Sequence, residues 1–198
     1  MAWAWRIQTY QVFRLWDSDE YFLMAEQLAA GTAVTAATPF AFRLLTPWLA
    51  AQCCPGDIQA GFLIVNLAAG LVTALLLVAW LRLFIARPHV RLLLVAVFAF
   101  QWLAPLRFAF YYPAYVDPLF QALMLGGLVL GHHLWMRPST ALGMAYVGVV
   151  MLGTLAREMM LLVPAAAVAG VAVARGPRDA AAWRWPVAAV MAGGAVFA

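Results

Sequence analysis

The sequence predicts an all-α fold, a polytopic transmembrane helix bundle of about five to six spans with amphipathic surface helices in a first extracytoplasmic region. Three observations predict it. Mean hydropathy is +0.90, and 67% of residues are hydrophobic while 10% are charged, against about 25% charged in a soluble domain. The apolar residues come in long runs bounded by charge and proline. Seven of the twelve arginines fall into alternate connections between those runs, and all but one of the carboxylates fall on the other side, with the remaining arginines.

The runs are Ile58–Leu81, Leu92–Leu106, Leu119–Trp135, Ala141–Ala156, Met159–Ala174 and Trp185–Ala198. A helix that crosses the hydrocarbon needs roughly 20 apolar residues. The first run meets that length comfortably; the others borrow flanking aromatics such as Phe108, Phe110 and Tyr111, or are short and packed against protein. Within the first run Gln59, Asn66 and Thr73 recur every seven residues. They share one helix face, expected to pack on neighbouring helices. Gly126, Gly127 and Gly131 mark further close helix approaches.

Arginine placement predicts orientation, because short cytoplasmic loops accumulate basic residues. Arg82, Arg87, Arg91, Arg137, Arg175, Arg178 and Arg184 fall in loops on one side. Asp17, Asp19, Glu20, Glu26, Asp57, Asp117 and Glu158 fall on the other, leaving Asp179 among the arginines. The acidic side is therefore expected to be extracytoplasmic. All twelve basic residues are arginine. Their scatter between apolar runs, rather than on one face, excludes a nucleic-acid partner despite the net charge of +4. Cys53 and Cys54 are adjacent and cannot build a long-loop disulfide framework; they read as small apolar residues.

The segment 1–57 is expected to form an extracytoplasmic or interfacial amphipathic region, and 58–198 the helical bundle, cut short at its C-terminus. Residues 1–16 lack the uninterrupted apolar core of a signal peptide and resemble an interfacial stretch rich in Trp and Arg. Asp17-Ser18-Asp19-Glu20 reads as a helix start, since acidic and Ser side chains suit free N–H groups and the positive dipole end. That helix is expected to run to about Ala30 and stop at Gly31. A second is expected to follow Pro39, carry Arg43 and end near Cys54-Pro55-Gly56.

Three constellations can carry chemistry. The carboxylates Asp17, Asp19 and Glu20 can hold a divalent cation or act as a general base for an acceptor hydroxyl; helix capping alone also accounts for them. Arg107, Tyr111, Tyr112, Tyr115 and Asp117 sit in the loop RFAFYYPAYVDP. An aromatic belt and a helix start explain that loop without a ligand. Arg157-Glu158 interrupts two apolar runs, where ionisable groups face a partner or a watery cavity. Arg157 can clamp a phosphate, or the two can be a structural pair. His132-His133 has no acidic or Cys neighbour in sequence and is a weak metal candidate.

The order of the elements DSDEYFLMAEQLAAG, TPFAFRLLTPWLA, an Asn-bearing first span, YYPAYVDPLFQALML and REMMLLVP resembles the N-terminal half of the GT-C class of integral membrane glycosyltransferases. The mannosyltransferase-like and aminoarabinose-transferase-like bacterial proteins belong to that class. The resemblance spans roughly residues 15–175. It implies a polyprenyl-phosphate sugar donor bound from the membrane and an acid in the first external loop. It assigns Asp19 and Glu20, with Asp17, as catalytic acids. Arg43, Arg107, Asp117, Arg157 and Glu158 become substrate-binding residues. A divalent cation, Mg or Mn, would be held by Asp17 and Asp19, with no other cofactor.

The expected partners are membrane lipids, the lipid-linked donor and other membrane proteins, and the expected location is a bacterial inner (cell) membrane. The rival reading is a non-catalytic membrane subunit that binds lipid or packs against partners. A transporter fragment would carry inverted repeats, and none is evident.

Overall fold

The computed structural model describes residues 17–101, 114–174 and 180–197, with side chains of the last segment described from 182. Every regular element among them is helical: α1 Ser18–Ala29, α2 Leu45–Cys53, α3 Ile58–Arg82, α4 Pro88–Phe100, α5 Asp117–Met136, α6 Thr140–Ala156, α7 Leu162–Ala174 and α8 Ala180–Gly194. Short 3-10 turns occupy Phe40–Phe42, Glu158–Leu161 and Ala195–Phe197.

Two of these helices, α3 and α5, are long and apolar enough to cross a membrane, while α4, α6 and Glu158–Ala174 are apolar but shorter. Caps define several ends. Asp57 accepts from the Ala60 N–H at 3.0 Å to open α3, and Ser139 accepts from the Leu142 N–H at 3.2 Å to open α6. Gly31, at φ +66°, ends α1 where a side chain would be strained.

α3 packs along α5, α5 along α6, and α6 along α8, with α7 against α8 and α4 flanking α3. α1 and α2 stack over the first turns of α3, where Tyr21, Phe22, Met24, Ala50, Ile58 and Phe62 share one core with Ala114 and Val116. A second core within the bundle gathers Phe120, Tyr146, Val150, Met160, Val163 and Ala189. Gly61 lets α2 and α3 touch, since a Cβ there would run into the Ala50 carbonyl. Gly127 and Gly131 lie against Met160 and Tyr146, whereas Gly126 has ordinary room.

The polar stripe of α3 turns inward, with Asn66 and Thr73 fully buried and Gln59 half-buried. The Asn66 amide donates to the Tyr115 carbonyl at 2.9 Å, and the Thr73 hydroxyl donates to the Ala69 carbonyl at 2.8 Å. Bonding back to the preceding turn satisfies a buried hydroxyl within its own helix.

One expectation is corrected. Pro39 opens a single 3-10 turn rather than the surface helix, and Arg43 lies in the break before α2, at φ −94° and ψ 53°. α2 begins at Leu45, with Pro47 in its first turn, where a missing N–H costs nothing. A helix running on from Pro39 would press the Pro47 ring against the Arg43 carbonyl, so the chain breaks between the two prolines. The Met159–Ala174 run also divides, into the Glu158–Leu161 turn and α7. The Trp185–Ala198 run starts early, as α8 reaches back to Ala180 and carries Pro186 inside it.

Candidate functional site

Four separate stretches meet where α3 and α5 begin and α6 ends. α1 buries Ser18, Tyr21, Phe22, Met24 and Ala25, the three-and-four spacing of one helix face. That face places the Tyr21 ring, 1% exposed, edge-on to Phe40 at 5.6 Å and to Tyr115 at 6.5 Å.

Arg43, 8% exposed, points its guanidinium into this pocket. Nη1 donates to the Tyr21 hydroxyl at 2.8 Å, Nε donates to Glu158 Oε2 at 2.9 Å and Nη2 to Glu158 Oε1 at 2.5 Å. The two bonds to Glu158 form the parallel fork that makes Arg–carboxylate recognition both strong and directional. The guanidinium carbon also lies 5.7 Å from the Phe40 ring centre.

The neighbouring residue engages a different partner. Arg157 sits in extended backbone at the end of α6, φ −164° and ψ 133°, and its Nη1 donates to Asp117 Oδ1. Asp117 is the first residue of α5. The Arg157 guanidinium lies 5.8 Å from the Phe120 ring centre, and its Nε is buried without a hydrogen-bond partner among the described residues. Arg157-Glu158 thus joins the segment before α2 through Arg43 and the start of α5 through Asp117.

The electrostatics follow from this pairing. The hydrogen bonds it donates to Glu158 hold Arg43 protonated well above its ordinary range, against the opposing effect of burial. Arg43 in turn holds Glu158, in the turn outside both long apolar helices, below the usual carboxylate range. Burial pushes the Tyr21 phenol up, and the Arg43 bond opposes that push. Tyr21 accepts from Arg43, so its own O–H remains for another acceptor.

The predicted site residues therefore divide. Arg43, Asp117, Arg157 and Glu158 are brought together, although they are far apart in sequence. Asp17 lies at the N-cap position without a side-chain capping bond, near enough to Tyr21 and Asp117 to act on both electrostatically. Asp19 is exposed and Glu20 half-buried in the first turn of α1, and neither forms an ion pair with a described residue. Asp17 and Asp19 are two residues apart, a spacing that does not face one side of a helix; Asp17 and Glu20 are better aligned. Among the described residues no group of three or more His, Cys, Asp or Glu side chains comes together as a metal site. Arg107, Tyr111 and Tyr112 lie outside the described residues.

Sequence reasoning assigned no role to Tyr21 and treated Asn66 as packing. The signal for Tyr21 was available in the buried spacing of Tyr21, Met24 and Ala25; the signal for Asn66 was its place on the polar stripe. A separate open groove between α1 and the start of α3 carries Glu26, Asp57 and Gln59 on its walls.

No family model, no curated protein and no solved structure matches the chain.

Proposed function

We propose that the chain is an integral membrane protein whose ion-paired end handles a lipid-linked sugar phosphate, as a GT-C-like glycosyltransferase or part of one. Membrane residence is supported by what the two long helices leave uncovered. Only 33% of the apolar window of α3 and 22% of that of α5 is buried inside the bundle. Leu71 and Leu75 of α3 are 63% and 62% exposed. A core helix of a water-soluble bundle would bury that surface; hydrocarbon solvates it. The shorter apolar helices would complete the set of five to six spans, with the carboxylate-bearing end extracytoplasmic in a bacterial inner membrane.

The observation that carries the reading is the convergence of Arg43, Asp117, Arg157 and Glu158 around the buried Tyr21. Arginines with donors to spare suit a phosphate leaving group, and the Arg157 Nε–H has no acceptor among the described residues. In the proposed displacement an acidic side chain of α1, Asp19 or its neighbours Asp17 and Glu20, takes the proton of the acceptor hydroxyl. The hydroxyl oxygen forms the new bond to the sugar's anomeric carbon as the carbon–oxygen bond to phosphate breaks. The departing lipid phosphate keeps that electron pair and is held by arginine. A divalent cation on the α1 acids would strengthen the same step.

A second reading has its own observation. Both arginines already face carboxylates, as in a lock that ties surface helices to the bundle of a non-catalytic subunit. Native mass spectrometry of detergent-purified protein with added polyprenyl phosphate separates the two. The transferase reading expects a retained lipid phosphate that Arg157→Ala releases and Arg157→Lys retains only in part. Equal retention by all three proteins, with a stoichiometric partner protein copurifying, establishes the subunit instead.

A further inference from the structure

The end of the bundle away from the ion pairs holds a recess that the proposed transfer does not use. Its walls come from α5, α6, α7 and α8. Gly131 and Trp135 lie 14 and 18 residues along α5 from Asp117, about 21–27 Å at the helical rise.

One lobe is a small cavity of about 70 Å³ between Pro138, Trp185 and Pro186. The other, about 440 Å³, runs past Gly127, Val163 and Gly170 toward Trp80 and His132. Gly131, Trp135, Tyr146 and Ala167 wall both, so the two form one recess. Gly131 is what opens it beside Tyr146, since a Cβ there would sit 3.3 Å from the Tyr146 ring.

Two features of the recess point to a ligand. Tyr146 is 1% exposed, and its hydroxyl oxygen is buried without a hydrogen-bond partner among the described residues. An unmatched hydroxyl in apolar surroundings is costly and calls for an acceptor. The rim is positive. The Arg184 guanidinium stacks 4.7 Å from the Trp185 ring centre, and Arg137 directly precedes Pro138 at the end of α5. Both arginines are exposed, and no described carboxylate lines the recess.

We propose that this recess binds one anionic glycerophospholipid from the leaflet at that end. An acyl chain fills the wide lobe, an ester carbonyl accepts from the Tyr146 hydroxyl, and the phosphate lies between Arg137 and Arg184. Each part of the site selects a different part of that molecule: apolar walls for the chain, a buried donor for the carbonyl, cations for the headgroup. A recess of this size matches a small amphiphile; a helix of a partner protein, about 10–12 Å across, does not fit in it. The proposal rests on the membrane reading and is independent of sugar transfer.

Trp135 and Trp185 report occupancy directly, because bromine on an acyl chain quenches nearby indoles. Protein in phosphatidylcholine nanodiscs is titrated with dibrominated phosphatidylglycerol or dibrominated phosphatidylcholine. The recess signal is the difference from Trp135→Phe/Trp185→Phe. Phosphatidylglycerol is expected to bind about tenfold more tightly, the factor that a charge-assisted contact supplies. Arg137→Ala/Arg184→Ala should abolish that preference, and Tyr146→Phe should weaken both lipids alike while sparing it. Equal quenching by the two lipids overturns the proposal. So does a preference that survives loss of both arginines in a variant that remains monodisperse.

Discussion

Replacing Glu158 with alanine strips the forked acceptor from a guanidinium that is 8% exposed and cannot move to solvent without unpacking Tyr21 and Phe40. Breaking one side of a fully buried pair costs about 3–5 kcal/mol. The Glu158 side chain is 36% exposed against 10% for Arg43, so water screens part of the attraction and partly replaces the lost acceptor. The expected cost falls to about 2 kcal/mol, near the value of hydrogen bonds to a charged group. Arg43→Met should cost a similar amount, because it leaves Glu158 and the Tyr21 phenol without their shared donor. The double variant removes the buried charge along with its partner and should cost about 1–2 kcal/mol less than the sum of the two. Unfolding in mixed micelles titrated with dodecyl sulfate, followed by tryptophan fluorescence, measures all four corners of the cycle. Additivity within about 0.5 kcal/mol would refute the pairing as an energetic element. Arg43 and Glu158 would then be neighbours without coupling.

Four further outcomes follow from the structure. Gly61→Ala should destabilise by about 1–3 kcal/mol in that unfolding assay, since the added methyl meets Ala50 backbone rather than a flexible side chain. Gly148→Ala, where a Cβ meets nothing within 4 Å, should stabilise α6 by about 0.5–1 kcal/mol; a loss at Gly148 equal to that at Gly61 contradicts the packing argument. Leu71→Arg, near the middle of α3 and 63% exposed, should make insertion of that segment about 2.5–3.5 kcal/mol less favourable in a glycosylation-reporter assay. Unchanged insertion would count directly against membrane residence. For acid, the folded-state value of Glu158 is lowered, so its stabilising effect is present above its ordinary value of 4.5 and is lost as pH falls through the folded value. Melting temperatures of wild type and Glu158→Gln should differ at neutral pH and converge below 4.5; a gap that widens on acidification reverses the assigned sign.

Much of the candidate site was legible one residue at a time. Arg43, Asp117, Arg157 and Glu158 stood out because charge is expensive beside long apolar runs, whatever the fold. Their pairing was not legible, since Arg43 and Glu158 are separated by 115 positions and Arg157 and Asp117 by 40. The break at Arg43 was legible by contrast, because Pro47 cannot continue a helix that runs from Pro39. Asp17 shows the converse, where a sound local reading as a cap places the residue correctly at the start of α1 but not its side chain.

What the sequence determined by itself is whatever depends on neighbours along the chain. The apolar runs dictate helices, because a backbone surrounded by apolar groups must satisfy its own hydrogen bonds. Gly31 and Asp57 mark ends because φ above zero and an N-cap acceptor are local requirements. Tertiary structure alone decided which charges meet, which face of α3 turns inward to Tyr115, and where Gly131 leaves room beside Tyr146. Those outcomes depend on how helices stack, and stacking is settled by the joint fit of surfaces from distant segments, which no single stretch of the chain encodes.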